Sequence, residues 1–175
     1  KVIDYPQLVH QAKKAPAFRS LIDPDAPIFL NPSDMPQAIA RFCRETGQPE
    51  PASIGEMVRA VLESLALKYR YVLEHTEQLS GKRFSGLHMV GGGIQNELLC
   101  QFTANAIGRP VWAGPVEGSS IGNVAMQLIA LGQLTGVREA RHVIHESFAT
   151  TVYEPQATAE WDDVYGAFCE LVITT

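Results

Sequence analysis

The sequence predicts a helix-rich α/β unit around a short parallel β-α-β-α stretch, and three observations carry that expectation. Residues 53–81 hold a long run of helical periodicity with a stop signal at each end. From Phe84 onward the pattern changes to short apolar blocks, Leu87-His88-Met89-Val90 and Pro110-Val111-Trp112-Ala113, each followed by a helical segment. The first block also runs straight into Gly91-Gly92-Gly93, a backbone suited to a tight strand-to-helix turn. At 175 residues the chain has the length of about one domain.

Each element has a local reason. Residues 1–33 carry prolines at 6, 16, 24 and 27 and form an irregular lead-in with one short helix over Tyr5 to Lys14. Asp23-Pro24-Asp25-Ala26-Pro27 is turn chemistry, and Ile28-Phe29-Leu30 is expected to be extended. A core over 34–155 starts with a helix from Met35 to Thr46. Ser33 or Asp34 caps it, Pro36 suits its first turn, Gly47 suits its end, and Ile39, Phe42 and Cys43 face inward.

Ser53-Ile54-Gly55-Glu56 reads as a capping box for the long helix. Its apolar stripe is Val58, Val61, Leu62, Leu65, Tyr69, Val72 and Leu73, and Ser80-Gly81 ends it. Helices are then expected from Asn96 to Ile107, from Ser119 or Ser120 to Leu134, and from Val137 to Glu146. Thr150 to Tyr153 is extended. Residues 156–175 hold a last helix from Glu160 to Val172, with Trp161, Asp162 and Asp163 near its start.

Composition removes several function classes. Net charge is −5 with no basic run longer than Lys13-Lys14, which argues against nucleic acid. No apolar segment approaches a membrane span. Lys1-Val2-Ile3-Asp4 has neither a Met nor a signal-type segment and reads as the start of an excised piece. Cys43, Cys100 and Cys169 are odd in number, widely spaced and free of C-x-x-C, so buried free thiols in a reducing cytoplasm are expected. Charged residues are only 19%, consistent with chance or with a surface that a partner or further chain covers.

The glycine run is the motif that carries chemistry. Without Cβ atoms its backbone lies directly against a flat or charged ligand, and a helix start beyond it favours phosphate oxygens. Asn96 has both a donor and an acceptor for a purine or ribose edge. No Lys follows, so this is not a P-loop, and the dinucleotide fingerprint is incomplete. Spacing alone leaves two readings open, a nucleotide or phosphate loop and a plain tight turn. The loop Gly114 to Asn123 follows the second strand and falls on the same carboxyl edge. Glu117 there is expected to accept backbone N–H bonds before it serves as an acid or base, and Ser119 and Ser120 to cap before they serve as functional hydroxyls. His88 reads as a core histidine, and His142, His145 and Glu146 as a solvated helix face. No catalytic residue and no metal ligand stands out.

Leu87-His88-Met89-Val90-Gly91-Gly92-Gly93-Ile94-Gln95-Asn96 resembles the adenosine motif of the FGGY carbohydrate kinases, in the actin-like, RNase H-like ATPase superfamily. The likeness continues through Gly108-Arg109-Pro110-Val111, Gly114-Pro115-Val116-Glu117, Gly122-Asn123 and Gln127. Phe29-Leu30-Asn31-Pro32, Phe42-Cys43-Arg44-Glu45-Thr46-Gly47 and Glu63 to Tyr69 are most similar to its rhamnulokinase branch. Together these span about residues 20 to 155. Gly118-Ser119-Ser120 departs from the compact Ala-Thr/Ser-Ala/Leu run usual in the family.

The resemblance implies a partial actin-like ATPase domain, the C-terminal part of a kinase's nucleotide-binding domain over residues 1–175. It implies a transferase using ATP and Mg2+ to phosphorylate L-rhamnulose at O1, with ATP and ADP as ligands of the intact enzyme. Gly92 would meet ATP through its backbone, Gly91 and Gly93 would shape the loop, and Asn96 would lie beside the adenine. The Asp base and the sugar-binding residues would belong to a preceding half, leaving this chain inactive alone and prone to self-association through uncovered helix faces. Fuculokinase, xylulokinase and a non-catalytic actin-like interaction module are the alternatives, followed by a dinucleotide-binding oxidoreductase domain.

Overall fold

The computed structural model describes residues 4–174; the expectation about the chain's start falls on Lys1 to Ile3 and lies outside them. Seven helices and three strands follow in the order α1 (Tyr5–Lys14), α2 (Met35–Glu45), α3 (Ile54–Ser80), β1 (Leu87–Met89), α4 (Glu97–Ile107), β2 (Val111–Ala113), α5 (Gly118–Ala130), α6 (Val137–Ser147), β3 (Thr151–Tyr153) and α7 (Thr158–Thr174).

The caps behave largely as their sequence dictates. Asp34 accepts the Gln37 N–H at 3.0 Å at the start of α2, where Pro36 occupies the first turn. Ser53 Oγ accepts the Glu56 N–H at 3.2 Å, and Glu56 reaches back to the Ala52 N–H at 3.0 Å. The reciprocal bond of the box thus lands one residue earlier than the usual pairing. Gly81 closes α3 in the left-handed conformation at φ 66°. At 27 residues α3 is about 40 Å long and forms the spine against which α1 and α4 pack.

The core lies along that spine. Leu62, Ala66 and Leu67 of α3 meet Leu98, Leu99, Phe102 and Ala106 of α4, with Ala12 from the lead-in and Trp161 and Phe168 from α7. Trp161 touches Phe18 edge-on at 4.8 Å and Phe102 at 5.2 Å. The buried face of α3 is turned slightly from the stripe expected, so that Ala66 and Leu67 are sealed while Val72 is half exposed. The reason is that neighbours crowd α3 on more than one side, which no single stripe describes.

Charged groups lock the helices in register. Arg59 Nε bonds Glu63 at 2.6 Å, and its Nη1 donates to the Ala15, Ala12 and Lys13 carbonyls that end α1. Glu63 is 1% exposed and also accepts the Phe18 N–H at 2.9 Å. Burial pushes its carboxyl up against the opposing pull of Arg59. Arg70 ties α3 to α7 through Asp162 at 2.6 Å, beside the Tyr165 hydroxyl that donates to Glu74 at 2.7 Å.

The sheet has the order β1-β2-β3 and is mixed. Strands β1 and β2 are parallel, with Leu87 opposite Val111, and β3 runs antiparallel to β2, with Thr151 opposite Ala113. The parallel β1-α4-β2-α5 unit is as expected, whereas the third strand's direction was not specified by the sequence. Three expectations require correction. Ile28 to Leu30 is not extended: Pro27–Phe29 forms a 3-10 turn, with Leu30 N–H on Pro27 O and Phe29 packed on Phe42 at 5.3 Å. Helix α5 stops at Ala130, because Gly132 turns left-handed at φ 72°. Cys43 and Cys100 are buried free thiols, but Cys169 is only half-buried.

Helices α5 and α6 form a hairpin set against the rest. No residue of α5 is buried and only Ala140 of α6 is, while Val124, Met126, Leu131 and Val143 stay exposed.

Candidate nucleotide loop

Strand β1 is anchored at its start. Arg109, just before β2, grips Glu77 of α3 with both arms at 2.6 and 3.0 Å and donates to the Phe84 carbonyl at 2.8 Å. Glu77 also accepts the Phe84 N–H at 2.6 Å. The guanidinium and that N–H together hold the Glu77 carboxyl down at about 2. Gly86 is needed here, since a Cβ would come within 2.4 Å of the Pro110 carbonyl.

From this fixed strand the chain enters Gly91 at φ 89°, a conformation that favours glycine. The glycine run does not open α4 directly, as the sequence suggested. A 3-10 turn, Gly92–Gln95, comes first, because Asn96 is the residue that caps α4. The loop is tied to its neighbour: Gly91 N–H donates to the Pro115 carbonyl at 3.2 Å, and Gly114 N–H to the Met89 carbonyl at 3.0 Å. Gly91, Gly92 and Gly93 therefore sit with the Gly114-Pro115 loop at the carboxyl edge of β1 and β2, where open α/β sheets hold ligands.

The side of the loop facing outward is bare. A Cβ on Gly92 or Gly93 would meet nothing within 4 Å, so no internal packing demands glycine at either position. Asn96 is placed differently from the expectation of a freely offered amide. It is 4% exposed, and its Oδ1 accepts the Leu99 N–H at 3.1 Å. Its Nδ2 has no hydrogen-bond partner among the described residues and is not sealed from solvent, which leaves its N–H donors for a ligand edge. Behind the turn, Cys100 lies 3.6 Å from the Ile94 carbonyl, and burial pushes its thiol up to about 11, so it is an inert support.

Two cavities flank the loop. One of about 310 Å³ lies between α1 and the start of α4, lined by His10, Lys13, Gln95, Asn96 and Glu97 among others. The other, about 480 Å³, lies between the ends of β1 and β2 and helix α6. Gly91 to Gly93 line neither cavity, but their sequence neighbours do, Val90 the larger and Gln95 the smaller.

Several side chains depart from their sequence reading. His88 is exposed, not a core residue, because it points to the sheet face opposite α3 and stacks on Trp112 at 5.5 Å. Glu117 occupies the cap position of α5 without a side-chain bond, and the helix starts at Gly118 instead of at a Ser. Gly118 fits there because a Cβ would press on Val90 at 2.9 Å. Among the described residues no group of three or more His, Cys, Asp or Glu could hold a metal ion. No described helix is long and apolar enough to cross a membrane. Sequence reading missed the cavity under α6 and its Arg141; the i, i+4 spacing of Arg141 and His145 was the available signal.

Comparison with known proteins matches residues 4–131 to the FGGY family of carbohydrate kinases, C-terminal domain. A rhamnulokinase of Bacteroides thetaiotaomicron is 50% identical over 161 residues, covering 92% of this chain and 33% of that protein. The chain thus spans about a third of that relative's length. Among solved structures, xylulose kinase from Rhodospirillum rubrum superposes with TM-score 0.65 at 23% identity, covering 97% of this chain and 34% of that one. Plasmodium falciparum glycerol kinase with ADP gives 0.67 at 13% identity, covering 98% and 34%. At such identities the likeness shows the fold, the actin-like ATPase architecture expected from the sequence.

Proposed function

From the premise that the chain belongs to the FGGY family of carbohydrate kinases, as its C-terminal domain, we propose that it is the adenosine-holding segment of a rhamnulokinase. The whole protein would transfer the γ-phosphoryl group of ATP, with Mg2+, to the 1-hydroxyl of L-rhamnulose in rhamnose breakdown, in the cytoplasm. The observation that carries this reading is the 50% identity to a rhamnulokinase over 92% of the chain. The bare outer side of Gly92 and Gly93 supports the site assignment, since those glycines serve no internal contact.

Phosphoryl transfer depends on positioning and on charge neutralisation by the metal ion. This chain's share is positioning. The backbone of Gly91, Gly92 and Gly93 gives the purine a flat floor, Asn96 Nδ2 donates to its edge, and the Glu77–Arg109 pair keeps β1 and hence the floor from shifting. The residues that activate the sugar hydroxyl belong to a preceding segment, so this chain alone does not turn over. Taken alone it self-associates through the exposed apolar surface of α5 and α6.

The test is ADP production by the intact polypeptide with L-rhamnulose, L-fuculose and D-xylulose offered separately. Turnover confined to L-rhamnulose supports the reading, and turnover on none of the three overturns it. Gly92→Val separates site from fold. Its Cβ enters open space, so the protein folds, while ATP affinity falls at least tenfold, about 1.4 kcal/mol.

A further inference from the structure

The cavity under α6 sets a few donors, and no carboxylate, among mostly apolar walls such as Val90, Ile144 and Phe148. Its walls include His88 from β1, Arg141 and His145 from α6, Gly114 and Pro115 from the loop tied to the glycine run, and Thr150. Six of the nine arginines are ion-paired, namely Arg19, Arg41, Arg44, Arg59, Arg70 and Arg109. Among the described residues Arg141 has neither an ion pair nor a hydrogen bond, and neither His88 nor His145 has a hydrogen bond. Arg83 and Arg138 have no ion pair among those residues either, and what sets Arg141 apart is that it shares one cavity with two imidazoles in a chain of net charge −5.

Their placement is ordered. Arg141 and His145 are four residues apart on α6 and so share a face. His88 lies against Trp112 at 5.5 Å with the rings 28° apart, which constrains the plane of its ring. An imidazole offers at least one N–H in either protonation state, and the guanidinium offers a planar fork matched to a tetrahedral oxyanion. The carboxyl ends of β1 and β2 open into the same space.

We propose that His88, Arg141 and His145 form an oxyanion site for a phosphate group beside the glycine loop. Arg141 supplies the charge and the two imidazoles supply directed donors. The phosphate comes either from the tail of a nucleotide whose base lies on Gly91 to Gly93, or from free phosphate or a phosphate ester held separately. The site goes beyond the adenosine reading of the loop and does not depend on it.

Calorimetric titration of the intact polypeptide with inorganic phosphate, adenosine and MgATP tests this. Arg141→Ala weakens inorganic phosphate about tenfold, leaves adenosine and the melting temperature unchanged, and Arg141→Lys recovers part of the loss. A parallel loss for MgATP assigns the phosphate to the nucleotide tail, whereas unchanged MgATP assigns it to a separate phosphate. Absence of phosphate binding by the unmodified protein, phosphate binding indifferent to Arg141→Ala, or an equal loss for adenosine overturns the site. Gly92→Val run alongside keeps the two readings distinguishable. Should adenosine binding survive Gly92→Val while phosphate is lost in Arg141→Ala, the loop assignment fails and the oxyanion site stands.

Discussion

The α3 spine and the α5–α6 hairpin are built from similarly apolar sequence, yet they use it in opposite ways. Around α3, apolar groups are sealed between four helices and charged groups bridge them, as with Arg59–Glu63 and Arg70–Asp162. In the hairpin, α5 buries nothing and Leu131 is 73% exposed. The difference teaches that apolar content alone does not place a core. A segment is buried when other elements pack on it, and among the described residues α5 and α6 pack chiefly on each other.

Substitutions can break or sharpen this contrast. The largest effect falls in the spine's core. Phe168→Ala leaves a fully buried cavity and lowers unfolding free energy by about 3–5 kcal/mol in a urea titration. A smaller loss would mean that α7 is loosely attached.

Next comes the Glu77–Arg109 pair. Its carboxyl titrates at about 2 in the folded chain against an ordinary 4.5. Its contribution is therefore complete above about pH 4.5 and is lost as pH falls toward 2. Glu77→Gln lowers the melting temperature at pH 7 and flattens its decline between those limits. An unaltered acid profile would show that the pair does not hold β1.

Asn96 gives a finer split. Asn96→Ala removes the α4 cap and costs about 1 kcal/mol of stability. Asn96→Asp keeps the capping oxygen but loses the Nδ2 donor, so stability holds while adenosine affinity falls. Equal adenosine affinity in Asn96→Asp would remove Asn96 from the proposed site. The smallest effect belongs to the hairpin, where Leu131→Ser changes stability by no more than about 0.5 kcal/mol. A core-sized loss there would erase the distinction between the two regions.

Much of this was legible because local signals suffice for helices with caps. Tyr5–Lys14 and Ile54–Ser80 have the bounds their prolines, Ser53 and Gly81 dictate. Ile28 to Leu30 was misread because Phe29 is recruited by Phe42, thirteen residues on, and a window of neighbours does not contain that partner. His88 was misread for a related reason. A three-residue strand does not reveal which of its faces is covered, and the covering elements here leave His88 in the open. The glycine loop was visible as a pattern, but the division of Asn96 into a committed oxygen and an available nitrogen is a matter of geometry. For Arg141 the sequence offered only its i, i+4 spacing to His145, and the cavity that the two line is displayed by the folded chain alone.

Helix α7 has a consequence for how the protein is made. It is the last described element to leave the ribosome, yet Trp161 and Phe168 complete the core that α1, α3 and α4 begin. Until it emerges, Phe18 and Phe102 lack the indole they pack against, and an apolar trough stays open along the spine. While α7 is still unmade, the segment over α1 to α4 therefore presents an exposed apolar surface of the kind that makes folding intermediates prone to aggregate, and docking of α7 withdraws it. A product stopped near residue 155 keeps that surface open, because Trp161 and Phe168 are the groups that cover it.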